Sequence, residues 1–441
     1  MSTIYVLSVL AIVIIAMIFL ISVVNLHPVI SLLFAAIALG IGLKVPWEDL
    51  EGVINSGFAS TIEDVAIVIV LGSILGKVLE ETGAARKLTN STVKLVGEKR
   101  VIWAIGISSL ILGIPIFADT VVILLIPVVS VLAQKTKKSM ISYGSALYVG
   151  ALVTSSLIPP TPGPIAAASL LNVPLSEVII WGTVVAVPSV LAAVAYCNTL
   201  KEEVQPKEEY LISNNDDNQE KLPKLTSSLA PIFLPLVLIV GNTVINALYP
   251  DSFIANFFAF IGSPLAALLS GCILSLILTG QKWKSKTVLN DWVESSLGAA
   301  AMPIVVTGMG GALAEFIKQT GVADNIGSIV GDTNFPGILI PIIIAALIHI
   351  ITGSNTLGVM TTAALVAPML NGLGISPLVA LLGCGAGALM FKHTNSSGFW
   401  VTVSLSNMNV KQGIKGVSVS STIAGFVGAI ITSILHYSGI I

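Results

Sequence analysis

Charge is scarce in this chain. Only 10% of its 441 residues are Asp, Glu, Lys or Arg, whereas 55% are hydrophobic. A soluble globular chain carries about 25% charged residues. So little polar surface excludes a soluble two-domain enzyme, and the apolar excess excludes a disordered chain. Cysteine is scarce too. Cys197, Cys272 and Cys384 lie in apolar stretches without C-x-x-C spacing, which excludes a disulfide framework or zinc site and leaves buried free thiols. The four histidines are scattered, with no H-E-x-x-H among them. No nucleophile–base pair, P-loop or dinucleotide fingerprint is present, so neither enzyme chemistry nor a metal or cofactor is expected. A formal net charge of −2 carries no polybasic signal for nucleic acid.

What the chain does have is long apolar runs, the mark of an all-α polytopic membrane protein; a β-barrel would show short alternating segments instead. Runs of spanning length lie at 4–24, 27–43, 62–80, 142–172, 177–199, 228–248, 261–280, 297–317, 376–405 and 416–436. The first lacks a basic leading region and reads as a retained transmembrane helix rather than a cleaved signal. Two further segments, 101–133 and 337–370, are each interrupted by polar or helix-breaking residues. The first break reads Gly113-Ile-Pro-Ile-Phe-Ala-Asp119-Thr120 and the second Thr352-Gly353-Ser354-Asn355-Thr356. Irregular backbone at membrane depth is tolerated only inside protein or beside a cavity, so both segments read as re-entrant hairpins. The expectation is about ten spans plus two hairpins.

Basic residues set the sides. With both termini outside, every Lys and Arg except Lys44, Lys77, Lys318 and Lys392 falls in inside segments: 81–100, 134–141, 200–227, 281–292 and 406–415. Segment 200–227 is the one long polar stretch and reads as a cytoplasmic linker between an N-terminal half, 1–199, and a C-terminal half, 228–441. The halves resemble each other. Gly72 to Gly83 lines up with Gly310 to Gly321, Pro127 with Pro368, and the break near Pro159 with that near Thr394. An odd number of spans per half inverts the second repeat, the plan of secondary transporters with a binding site at the repeat interface.

Four polar interruptions, two per half, are the candidate site. Besides the tips with Asp119 and Thr120 and with Gly353, Ser354, Asn355 and Thr356, two spanning helices are broken. One is cut at Ser155-Ser156-Leu-Ile-Pro-Pro-Thr161-Pro-Gly163-Pro164, the other at Lys392-His393-Thr394-Asn395-Ser396-Ser397-Gly398. Broken helices expose N-termini with free N–H groups suited to a carboxylate, and the Ser, Thr and Asn side chains suit substrate hydroxyls. Asp119 is the leading proton-linked group, the alternative being a fixed carboxylate that orients the tip or accepts from substrate hydroxyls; His393 is the second, the alternative being a satisfied helix-end histidine. Lys392 either attracts an anionic substrate or snorkels towards the inner surface. His349 reads as a packing residue with one hydrogen bond. Lys77, Glu80 and Glu81 read as a structural group, with Lys77 and Glu81 able to pair on one helix face. The stretch GMGGA at 308–312 reads as helix packing.

Four stretches resemble the gluconate permease family of sugar-acid:proton symporters. They are Leu71–Lys77 with Glu80–Gly83, Gly113–Asp119, Leu157–Pro164 and His393–Trp400, and their order and spacing agree over nearly the whole chain. Gly353-Ser-Asn-Thr356 is similar to the tips of sodium-coupled di- and tricarboxylate carriers in the wider ion-transporter superfamily. The resemblance implies a homodimer in the bacterial inner membrane, with a scaffold domain and a mobile transport domain, importing gluconate or a related sugar acid with protons. Sodium coupling, or D-serine, glycerate or hydroxybutyrate as substrate, are the alternatives it leaves. The chain departs from the family pattern at Thr161, where members usually carry histidine. It departs again at Thr394 and Ser396, where they usually carry valine and aspartate.

Overall fold

The computed structural model describes residues 3–22, 24, 26–96, 100–208, 210, 222–249, 252–318, 336–394 and 396–441, and there is no strand among them. Helix α1 (Thr3–Ser22) and α2 (Pro28–Gly42) precede a 35-residue helix, α3 (Trp47–Glu81). Helix α3 starts well before the expected 62–80 run. Its first turns are polar and carry no hydropathy signal, but Glu48 and Asp49 lie where the helix dipole favours anions. It stops at Thr82, followed by Gly83 at φ 72°.

The segment expected as an inside loop at 81–100 holds a helix, α4 (Ala84–Val96). Ala84, Ala85, Leu88 and Thr89 are buried while Arg86 and Lys94 are exposed. One wet face and one dry face make a helix without a long apolar run, which is why reading spans alone passes over it.

The interrupted segments are pairs of helices. Helix α5 (Val101–Leu112) and α6 (Ala118–Thr136) flank the first tip. Helix α7 (Met140–Leu157) and α8 (Pro162–Leu170) flank the proline break. Helix α9 (Leu175–Thr199) completes the first half. The second half runs through α10 (Leu225–Leu248), a short α11 (Phe253–Ile261) and α12 (Pro264–Ser275). The last of these tightens into 3₁₀ turns over Leu276–Lys284, with Gly280 at φ 57°. Then come α13 (Trp292–Lys318), α14 (Leu339–Thr352) and α15 (Asn355–Val366), the last two flanking the second tip. Helices α16 (Pro377–Gly387) and α17 (Ser397–Leu405) flank the second broken span, and α18 (Val410–Tyr437) closes the chain. Helix–break–helix pairs thus follow one another in the same order in both halves.

Eight helical stretches among the described residues are long and apolar enough to cross a membrane. Helices α5, α14 and α16 are apolar but shorter. At 12 residues α5 is about 18 Å long, less than the ~30 Å hydrocarbon core. Helix α7 is buried on nearly every side, packed by α5, α6 and α9, and its even hydrophobicity is what an all-round core helix requires.

Helices α3 and α13 lie along each other. A Cβ on Gly311 would strike the Thr61 hydroxyl and one on Gly308 the Phe58 ring, so the GMGGA stretch does serve helix packing. The same α3 carries Gly76 against the Pro115 carbonyl and Gly72 against that of Pro160. It therefore backs both breaks of the first half. Helix α15 packs on α14, α13 and α8. These contacts bring the tips together with the broken spans.

Candidate functional site

A cavity of ≈ 410 Å³ lies where the breaks meet, a size suited to a small ligand. From the start of α6 come Phe117, Ala118 and Asp119. Helix α7 contributes Tyr148, Leu152 and Ser155. The junction of α14 and α15 contributes Thr352, Gly353, Ser354, Asn355 and Thr356, and the second broken span contributes Lys392, Ser396 and Ser397.

Three helix N-termini reach this cavity, those of α6, α15 and α17. Ser354 caps α15 by accepting from the Leu357 N–H. The N-cap residues of α6 and α17, Phe117 and Ser396, make no side-chain cap. Unsatisfied N–H groups and aligned dipoles favour an anion at such ends.

Lys392 is buried, with 3% of its surface exposed. Its ammonium donates to Asn355 Oδ1 at 2.6 Å and lies 5.6 Å from the centre of the Tyr148 ring. Of the two roles open to Lys392, snorkelling is not what the geometry shows; the charge is held at the cavity. A buried ammonium needs partners to offset its lost hydration, and the Asn355 oxygen and the ring face supply part of that. Asp119 stands in the same cavity and accepts from the Ser397 hydroxyl at 2.8 Å. Among the described residues no ion pair joins Asp119 to Lys392. Backbone closeness here is tight: a Cβ on Gly398 would collide with the Tyr148 hydroxyl and with Asp119 Oδ1.

Asn355 links three of the breaks. Besides accepting from Lys392, it donates from Nδ2 to the Ala388 carbonyl at 2.6 Å and to Ser156 Oγ at 3.4 Å. Ser156 is thus buried behind the wall rather than on it. Thr161 is buried and turned to its own turn, donating to the Ile158 carbonyl at 2.8 Å. Gly163 packs beside Ser155, Thr356 and Val359. Thr120 lines a different, smaller cavity. His393 faces away, with Nε2 3.1 Å from the Ile350 carbonyl. Thr394 is exposed, and its carbonyl accepts from the Trp400 indole at 2.7 Å. Asn395 lies outside the described residues. His349 is buried with one hydrogen bond, to the Met390 carbonyl, as expected of a packing residue. Lys77 pairs with Glu81 at 2.6 Å and with Glu80 at 3.5 Å.

Tyr148 is the polar lining residue that lies outside every break read from the sequence. It sits in an unbroken apolar run, and the one available signal is that a phenol buried there needs a polar partner, which Ser396 provides.

Comparison with known proteins agrees with this architecture. A gluconate permease from Pseudomonas aeruginosa is 30% identical over 431 residues, covering 96% of this chain and 95% of that protein. The high-affinity gluconate transporter of Escherichia coli is 28% identical over 412 residues, covering 92% and 94%. Among solved structures, the YdaH transporter of Alcanivorax borkumensis superposes with a TM-score of 0.63 over 89% of each chain. At 15% identity that likeness speaks to the fold alone. The pattern that describes GntP family permeases matches residues 5–437. This multi-pass membrane protein belongs to the GntP permease family.

Proposed function

We propose that this chain is a proton-coupled symporter that imports a small hydroxylated monocarboxylate, gluconate or a closely similar sugar acid. The observation that carries the reading is a single cavity holding one buried ammonium, Lys392, one carboxylate, Asp119, and three helix N-termini. The substrate carboxylate docks at Lys392 and the free N–H groups. Its hydroxyls meet Ser155, Ser354, Thr356, Ser396 and Ser397. Relatives named for gluconate transport support this choice of substrate.

Charge balance supplies the coupling. With no substrate bound, ionised Asp119 and Lys392 sum to zero. An anion entering alone leaves the cavity one charge negative, and a proton on Asp119 alone leaves it one charge positive. Only the two together restore neutrality. Moving an unbalanced charge through a low-dielectric interior is costly, so the singly loaded states are the ones that do not cross. One cation suits one carboxylate, which favours a monocarboxylate over a di- or tricarboxylate. The same opposed pair also fits a zwitterion such as D-serine, with its ammonium at Asp119, and this is the second reading.

Purified protein in proteoliposomes, given labelled gluconate, glycerate and D-serine under an imposed proton or sodium gradient, tests both. Proton-driven accumulation of a sugar acid is expected. Accumulation with sodium alone would reject proton coupling, and accumulation of D-serine alone would move the assignment to the second reading.

A further inference from the structure

We propose that Phe117 sets the length of the acid this protein accepts, by closing the main cavity off from a second, hydroxyl-lined cavity that serves as an extension of it. The proposal rests on the sugar-acid reading above. The second cavity, ≈ 220 Å³, lies across the first turn of α6 from the first. Asp119 lines one and its neighbour Thr120 the other, and Phe117 is the residue common to both linings. Phe117 is the N-cap of α6, is half-buried, and lines both polar spaces.

The chemistry of the second cavity differs from that of the first. Lys77 lines it but is already held by Glu80 and Glu81, so it offers no free cation for a second carboxylate. What remains are the hydroxyls of Ser73, Thr120 and Ser295, with that of Ser296 already donating to the Trp292 carbonyl, together with the oxygens of Glu80. Donors and acceptors without a net positive charge match the neutral polyol tail of a sugar acid rather than its head. A molecule anchored by its carboxylate at Lys392 and long enough to reach past the start of α6 meets the Phe117 ring first. Shorter acids stop before it.

The test uses the full chain in proteoliposomes and an uptake series of rising length: glycerate, arabinonate, gluconate, glucoheptonate and the disaccharide acid lactobionate. Wild type is expected to show a cut-off within the series. Phe117→Ala is expected to move it to longer acids, raising uptake of the first excluded acid relative to gluconate roughly tenfold or more. Phe117→Leu gives a smaller shift in the same direction and keeps the comparison readable if the alanine variant folds poorly. Adding Ser295→Phe to either variant, which fills the second cavity, is expected to return the cut-off to its wild-type place. Normal transport of the short acids by both Phe117 variants with an unmoved cut-off would overturn the proposal. Failure of wild type to take up any acid in the series would instead overturn the sugar-acid reading itself, and this proposal with it.

Discussion

On the proposed function, Lys392 and Asp119 divide the work of the site between them. Lys392 is committed to Asn355 and the Tyr148 ring, and in the proposed cycle it is the fixed positive anchor. Replacing it by methionine keeps the unbranched apolar stem of the side chain and removes a charge-assisted contact worth about 1.5–3 kcal/mol. Lys392→Met is therefore expected to raise KM for uptake roughly 10- to 100-fold, read from initial rates over a range of substrate concentrations; an unchanged KM would place the carboxylate elsewhere. Asp119, which accepts from Ser397 and lines the same cavity, has the opposite duty in the proposed cycle, as the carrier of the proton. Asp119→Asn removes the proposed proton site while preserving shape. The expected outcome is loss of accumulation driven by a proton gradient, with substrate exchange across the membrane retained in counterflow. Full accumulation by that variant would assign the proton to another residue.

At the scale of elements, the site is made where helices stop, and α3 holds two of those stops in place. Gly76 leaves no room for a Cβ beside the Pro115 carbonyl, whereas a Cβ on Gly52 of the same helix meets nothing within 4 Å. Gly76→Ala is expected to destabilise the protein by about 1–3 kcal/mol through overpacking. Gly52→Ala, relieved of backbone entropy alone, should gain up to about 1 kcal/mol. Thermal melts of the two variants in one detergent separate these effects, and equal shifts would remove the claim that α3 braces the first tip.

Much of this element-level picture is legible in the sequence, because a Gly, Pro or Ser cluster inside an apolar run has few structural solutions. The tips before Asp119 and Asn355 and the breaks near Pro159 and Ser396 are all found where hydropathy is interrupted. Helix α4 is not legible that way, since its apolar stripe is too narrow to form a run. Nor is the inward fold of the site. Lys392 and Tyr148 are brought to one cavity by packing between α7 and the second broken span, and no local pattern says which way a lone Lys at a helix end will turn. The same limit explains why His393 and Thr161, polar residues within the right breaks, bond to nearby carbonyls and do not line the cavity.

For the whole molecule, the charge balance of the cavity has an electrical consequence. If one anion always crosses with one proton, the cycle moves no net charge. Uptake is expected to follow the pH difference across the membrane and to ignore an imposed potassium diffusion potential at equal pH. Potential-driven uptake without a pH difference would require more than one proton per substrate. The three helix ends at the cavity carry a consequence of another kind. Their contribution to holding an anion is written in the backbone, so no side-chain replacement deletes it as long as the helices stop where they do. On the proposed function, serines and threonines around the cavity can therefore be exchanged over evolutionary time, altering which hydroxyl pattern is preferred, while this backbone share of the hold on a carboxylate persists. A carrier built this way can change its diet by single substitutions without first losing its appetite for acids.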